Sequence, residues 1–404
     1  MAKNITSTQA KSKDKTSVKP TNGKNDFIKI GKKDFDKDKL LYVLKTMLRS
    51  RSVNNKAMNL LRQGKTFFHI SSSGHEAIQL AIGLSLDSKK DWLFPYYRDM
   101  AAVITAGISI EEVFLGSFAK TDDPSSGGRQ MPTHWGARSF NMPAQSSPTG
   151  TQFLQAVGAA MSIAKRGEKN VAYVSSGEGT TSQGEFHEAV NWASREKLPV
   201  LFVIQNNKYA ISVKVSDQSG GKDNSIAEMM SGYNNLYRAR IDGTEFITSY
   251  EKVQEAIEYI KSGKGPALIE ADVVRLDSHS SSDDHKKYRD KKELEEDLKR
   301  CPIEKFAKIL ISKNFLTQDD YEKLKQNITD EINDAADKAI LAADPKPSDA
   351  VTFVFDESGF KETLDYESST PSGDKIVMVD AINHALHEEM QRNPDMYIFG
   401  EDIE

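Results

Sequence analysis

Two apolar runs, Val-Ala-Tyr-Val at residues 171–174 and Pro-Val-Leu-Phe-Val-Ile at residues 199–204, most restrict what this chain can fold into. Neither alternates with polar residues, so each must be covered on both faces, as strands of a parallel sheet are. Between them, residues 185–196 place Phe186, Ala189, Val190 and Ala193 on one face of a helix. Strand, amphipathic helix and doubly buried strand make a right-handed βαβ unit. The expected fold class is therefore α/β, a doubly wound parallel sheet with helices on both faces. Residues 266–274 predict a further strand.

The 404 residues correspond to two or three domains. Residues 1–26, Lys-rich among Ser, Thr and Asn, predict a disordered tail that lacks the features of a secretory signal and is a poor transit peptide. Residues 27–345 read as one domain. It opens with a long helix over residues 38–63, capped by Asp36 or Asp38, followed by helices over residues 74–86 and 100–119. A charged helical segment closes it over residues 302–342, with Thr317 as a cap. Residues 346–374 read as a linker. Residues 375–404 then open a new α/β unit, with Asp380 capping a helix to Arg392 and a strand over residues 396–399. One helix and one strand cannot enclose a core, so this stretch reads as the N-terminal fragment of a further domain.

Composition removes several functions. No segment approaches the roughly 18 uninterrupted apolar residues of a membrane span. Lys and Arg number 54 against 59 Asp and Glu, a net charge of −5, so no basic field points to nucleic acid or anionic lipid. The one cysteine, Cys301, cannot form an intrachain disulfide or a CxxC or zinc-type array, which fits a reducing cytoplasm. Ser-Gly-His-Glu at residues 73–76 matches neither HExxH nor GxSxG, against a zinc protease or serine hydrolase.

The strongest chemical constellation is Gly177, Glu178 and Gly179 after the first central strand, with Asn206 and Asn207 after the next. Both groups emerge on the carboxyl edge of one parallel sheet, where open α/β sheets bind ligands. Glu178 supplies an anionic oxygen and Asn207 a neutral one, a set suited to magnesium held against a diphosphate. The glycines admit close backbone approach.

The flanking sequence carries a family resemblance. Ser-Gly-Glu-Gly-Thr-Thr-Ser-Gln-Gly-Glu-Phe-His-Glu-Ala at residues 176–189, with Gln-Asn-Asn-Lys-Tyr-Ala-Ile-Ser at 205–212, resembles the thiamine diphosphate fingerprint of the α subunit of 2-oxo acid dehydrogenase first components. Phe-Pro-Tyr-Tyr-Arg-Asp at 94–99, Gly-Arg-Gln-Met-Pro-Thr-His-Trp at 128–135, Ser-Ser-Pro-Thr-Gly-Thr-Gln at 146–152 and Arg-Leu-Asp-Ser-His-Ser-Ser-Ser-Asp-Asp at 275–284 match in order. The Arg-Gln-Met-Pro form is similar to the branched-chain (3-methyl-2-oxobutanoate dehydrogenase) type. Residues 380–386 and 399–402 resemble the start of the β subunit, which implies a fused α–β polypeptide.

The resemblance implies oxidative decarboxylation of a branched-chain 2-oxo acid, with acyl transfer to the lipoyl group of an acyltransferase core. It implies that Glu178, Asn207 and the Tyr209 carbonyl hold Mg²⁺, and that Arg98 and His279 reach the diphosphate, with His279 also handling a proton because it can be neutral or charged near neutrality. Tyr97 would wall the substrate side. Ser147, Gly177, Gly179 and Thr180 fall at cofactor-binding positions, and the Thr149 backbone would meet the aminopyrimidine. Ser146, Pro148, Thr151 and Gln152 resemble positions around a K⁺ ion. The acid that activates the cofactor lies in the family's β half, so the site implies assembly into a homo-oligomer of fused chains.

Two departures stand out. Gln205 occupies a position where the branched-chain pattern commonly has Arg, removing a charge near the diphosphate; either cofactor affinity is lower, or Lys208 or a β-half group compensates. The family's Gly-His-His-Ser is Asp277, Ser278, His279 and Ser280 here. Ser280 falls where some relatives are phosphorylated. His69 and His134 lie in loops and are candidates to face a substrate entrance, His384 and His387 read as solvent-exposed, and Glu401 resembles a β-half acid. The alternatives are a pyruvate or acetoin dehydrogenase first component, or a noncatalytic α-like scaffold.

Overall fold

The computed structural model describes residues 27–30, 33–352, 354–355 and 375–400. The expected tail over residues 1–26, most of the expected linker, and Glu401 lie outside the described residues. The strands in chain order are β1 (Phe27–Ile30), β2 (Lys33–Asp36), β3 (Trp92–Phe94), β4 (Ala172–Gly177), β5 (Val200–Asn206), β6 (Tyr209–Ala210), β7 (Val213–Lys214), β8 (Tyr237–Asp242) and β9 (Ala267–Asp272). The central sheet runs β3-β4-β5-β9-β8 with every pair parallel. The two apolar runs are its neighbours β4 and β5, in a register that sets Ala172 opposite Val200 and Gly177 opposite Gln205.

Residues of β5 alternate between two cores, as the pleat of a strand requires. Val200, Phe202 and Ile204 pack with Phe153 and Phe186 from the helices Thr151–Lys165 and Gly184–Glu196. Leu201 and Val203 enter the opposite core with the helices Lys37–Arg62, Glu76–Gly83 and Phe246–Lys261. Helices therefore cover both faces, and the sheet is doubly wound.

Local signals set the helix ends. The Asp36 side chain accepts from Lys39 N at 2.7 Å and caps the entry helix. The helix expected over residues 100–119 is two, Met100–Ala106 and Ile110–Ser117. Gly107 ends the first at φ 126°, in the left-handed region that favours glycine, and a Ser109–Glu112 capping box starts the second. The segment expected over residues 302–342 is likewise two helices, Pro302–Ser312 and Gln318–Ala339, the latter capped by Thr317.

The helix Met378–Arg392 starts beyond Val377, so Asp380 lies in its first turn instead of capping it. Residues 396–399 do not form the expected strand, because no strand among the described residues offers them a ladder. They rest on the end of the helix Thr151–Lys165, where Tyr397 Oη donates to Met161 O at 3.0 Å and Lys165 Nζ to Met396 O at 2.8 Å. No helix among the described residues is long and apolar enough to cross a membrane.

Candidate active site

The carboxyl ends of β4 and β5 bring Glu178 and Asn207 together. Asn207 N donates to Glu178 Oε2 at 3.1 Å, and Asn207 Oδ1 accepts from Tyr209 N at 3.3 Å. Glu178 is 2% exposed, and its second oxygen, Oε1, is buried without a hydrogen-bond partner. Burial raises its pKa, against the opposing pull of two backbone N–H groups and of Arg275 and Arg98. A buried carboxylate oxygen without a donor is unfavourable until a cation reaches it. One carboxylate, one amide oxygen and nearby backbone carbonyls fit a magnesium ion that takes its remaining ligands from phosphate and water.

The β6–β7 hairpin lies directly on the turn Glu178–Ser182. A Cβ at Gly179 would stand 2.4 Å from Ala210 Cβ, so this position admits only glycine without movement of the hairpin. At Gly177 the corresponding distance is 3.9 Å, to the Tyr96 ring, an ordinary contact.

Arg98 is buried and makes no ion pair among the described residues. Its Nη1 donates to Ser71 O at 2.5 Å, while Nη2 reaches His279 Nδ1 at 3.0 Å and His279 O at 2.9 Å. Because a guanidinium only donates, Nδ1 accepts and the neutral ring carries its proton on Nε2. Burial, then Arg98 and Arg275, push His279 down to about 3. The expectation that His279 changes charge near neutrality is therefore corrected: the ring stays neutral there. The Tyr97 ring lies 5.2 Å from the Arg98 guanidinium and edge-on to His279 at 6.3 Å.

Sequence reasoning did not single out Arg275, whose only signal is its place in the motif at residues 275–284. It is 1% exposed and donates to Ile211 O in the hairpin turn at 2.9 Å and to Tyr288 Oη at 2.7 Å. Tyr288 Oη donates to Asp283, which also accepts from His279 N at 2.7 Å. The hairpin is thus linked through three side chains, Arg275, Tyr288 and Asp283, to the Arg98–His279 pair.

Gln205 departs from its expected place beside a diphosphate. It is fully buried; Nε2 donates to Asp99 Oδ1 at 2.5 Å, and Oε1 accepts from Gln79 Nε2 at 3.0 Å and faces His75 Nδ1 at 2.9 Å. Lys208 does not compensate, because its ammonium is paired with Asp272. Asn206 is likewise structural, donating to Glu270 at 2.7 Å.

In the loop over residues 146–152, Ser146 Oγ lies 2.6 Å from Thr151 Oγ1, and both lie 3.3 to 3.4 Å from Pro148 O. Three clustered oxygens suit a large monovalent cation, whereas Gln152 turns its carbonyl oxygen to Gly150 N at 3.1 Å. This loop, with Ser147 and Thr149, lines a narrow cleft together with Tyr97, Ser176 and Thr180. His134 lies on its wall, bonded to Ser147. His69 does not face an entrance; it is buried, with Nε2 3.0 Å from Asn54 Oδ1. His384 and His387 are exposed, as expected.

Residues 44–348 match the family model described as the dehydrogenase E1 component. The chain belongs to that family. Among its relatives, the 2-oxoisovalerate dehydrogenase subunit alpha of Bacillus subtilis (strain 168) is 37% identical over 311 residues, covering 77% of this chain and 93% of the relative. The pyruvate dehydrogenase E1 component subunit alpha of the same organism is 32% identical over 320 residues, covering 79% and 81%. That of Mycoplasma genitalium is 32% identical over 292 residues, covering 72% and 78%. The E1 chain is thus an enzyme component of alpha-subunit type, of the 2-oxo acid dehydrogenases. Its match to the family ends at residue 348, so the helix Met378–Arg392 lies outside it.

Proposed function

We propose that this chain is the alpha-type part of a thiamine diphosphate- and magnesium-dependent enzyme that oxidatively decarboxylates a branched-chain 2-oxo acid and passes the acyl group to the lipoyl group of an acyltransferase core. The observation that carries the reading is the buried, unpartnered Glu178 Oε1 beside Asn207, near the fixed Arg98–His279 pair. When bound, thiamine diphosphate supplies the electron sink that loss of carbon dioxide from a 2-oxo acid needs.

The chain's own residues then have distinct tasks. Glu178, Asn207 and the Tyr209 carbonyl hold magnesium. Arg98 and the Nε2–H of His279 donate to diphosphate oxygens, and in acyl transfer the same Nε2–H gives His279 a catalytic hydrogen bond to offer from a neutral ring. Gly177, Gly179 and Thr180 form the floor against which the cofactor lies, Tyr97 walls the substrate side, and Ser147 and the Thr149 backbone meet the aminopyrimidine. Ser146, Pro148, Thr151 and Gln152 hold potassium, with Gln152 turning from Gly150 to do so.

The branched-chain assignment is supported by Arg-Gln-Met-Pro at residues 129–132 and by 37% identity to the 2-oxoisovalerate subunit, against 32% to the pyruvate subunit of the same organism. We also infer that residues 27–345 form the cofactor-binding domain, 346–374 a linker and 375–404 a β-like segment in a cytoplasmic, homo-oligomeric assembly. The exposed apolar side chains of the helix Met378–Arg392 support that division.

Acceptor reduction by the assembled enzyme, with thiamine diphosphate and magnesium, tests this by comparing 3-methyl-2-oxobutanoate with pyruvate. Preference for the branched acid is expected. Preference for pyruvate keeps the chemistry and moves the substrate; absence of both turnover and cofactor binding leaves a noncatalytic scaffold.

A further inference from the structure

His134 is held at both ring nitrogens. Nδ1 lies 3.3 Å from Pro132 O, and Nε2 lies 3.0 Å from Ser147 Oγ. A carbonyl only accepts, so Nδ1 carries the proton and Nε2 accepts a hydrogen bond from the Ser147 hydroxyl. Ser147 Oγ therefore turns only lone pairs toward the cleft.

The turn that aims the ring is strained. Thr133, between Pro132 and His134, has φ +65°, and a β-branched residue in the left-handed region is a steric outlier. Its own hydroxyl is buried without a partner, so no side-chain bond of Thr133 holds the turn. What the turn achieves is to bring Pro132 O back under His134 Nδ1. Such outliers persist where the surrounding structure imposes them, and they cluster at functional sites.

Neighbouring bonds point the same way. Gln130 Nε2 donates to Gln145 O at 2.7 Å, Gln145 N to Trp135 O at 3.1 Å, and Trp135 Nε1 to Tyr96 O at 3.1 Å. Residues 130–135 thus form a brace between the Tyr96 backbone at the end of β3 and the start of the loop over residues 146–150. His134 is its contact nearest to Ser146, Pro148 and Thr151.

We propose that His134 is a positioning residue: through Ser147 it fixes the loop over residues 146–150 and makes Ser147 Oγ an acceptor toward the cleft. The inference deepens the functional reading above and rests on it only for the identity of the ligand that the loop meets. It also replaces the expectation of a histidine facing substrate, because Nε2 is already engaged.

Hydrogen exchange of the full chain without cofactor tests the brace directly. His134→Phe and His134→Asn, the latter too short to reach Ser147, are expected to raise exchange at the buried Gly150 amide, which donates to Gln152 Oε1, about tenfold. His134→Gln, whose carbonyl can accept from Ser147, is expected to stay near wild type. In the assembled enzyme, H134F and S147A should each raise KM for thiamine diphosphate by about tenfold, the effect of losing one hydrogen bond, with the double variant no worse than either. Wild-type exchange in both H134F and H134N, failure of H134Q to rescue, or additive effects overturns the proposal. If the wild-type enzyme binds no thiamine diphosphate, the functional reading fails, while the exchange result still decides the brace.

Discussion

Arg98 donates through a single nitrogen, Nη2, to both the ring Nδ1 and the carbonyl oxygen of His279, at 3.0 and 2.9 Å. One permanent cation therefore fixes the histidine tautomer and the path of the loop that carries it. Lysine retains the charge but lacks the planar fork. Arg98→Lys is expected to weaken thiamine diphosphate binding by about 10- to 100-fold, the range for charge-assisted hydrogen bonds. Titration calorimetry on the assembled enzyme checks this, and unchanged affinity would remove Arg98 from the site.

Glu178→Gln separates stability from function. The variant keeps the shape of the side chain but removes a buried charge whose Oε1 lacks a partner. Magnesium-dependent cofactor binding should be lost, while the Tm of the chain without cofactor holds or rises, because burying an uncompensated charge is unfavourable. A clear fall in that Tm would mean that the carboxylate is already satisfied.

Two glycines give opposite outcomes. Gly179→Ala puts a methyl 2.4 Å from Ala210 Cβ and must shift the hairpin that carries Tyr209. We expect the magnesium concentration for half-maximal activity to rise about tenfold, as for loss of one ligand's alignment. Gly184→Ala meets nothing within 4 Å and should be silent. Equal behaviour of the two would detach the hairpin from the metal site.

Acid should destabilise the chain through its buried histidines. Burial lowers His69 to about 4, and His75 and His279 to about 3, from the ordinary 6.5 of the unfolded chain. Between those values the unfolded chain binds more protons, so stability is full above pH 6.5 and falls as the pH drops toward about 4. Asp99, raised by burial from 3.8 to about 6, acts in the opposite sense, its folded form binding the extra proton. Burial also raises Glu178, Asp91 and Asp297 and lowers His285, but the large shifts are those of the three histidines and Asp99, so Tm at about pH 5 should lie below that at pH 7. His75→Asn should flatten the slope, and a Tm that rises on acidification would contradict the assignment.

The centre of the fold was legible because β4 and β5 are apolar on both faces, a pattern that only a covered parallel sheet accommodates. β3 is three residues long, too short for periodicity to register, and β8, Tyr-Arg-Ala-Arg-Ile-Asp, is a partly exposed edge strand with charged residues in its run. The break at Gly107 was missed because apolar spacing continues through it, although the Ser109–Glu112 capping box was there to be read. In the site, strand-end logic brought Glu178 and Asn207 together. The place of Gln205 was not legible: its partners Gln79, His75 and Asp99 come from two distant segments, and only their convergence makes it a core residue instead of a ligand. Thr133 gave no signal either, since a left-handed threonine is set by its surroundings.

The helix Met378–Arg392 carries Val379, Ile382, Leu386 and Met390 along one side, each 40 to 73% exposed. An oily ridge of this kind governs solution behaviour more than the net charge of −5 does. The chain should enhance the fluorescence of a hydrophobic dye and scatter more light as sulfate is added, because excluded salts strengthen apolar association. Replacing Ile382 and Leu386 by Asp should abolish both effects and leave far-ultraviolet dichroism unchanged, making handling of the purified chain a direct reporter of that ridge.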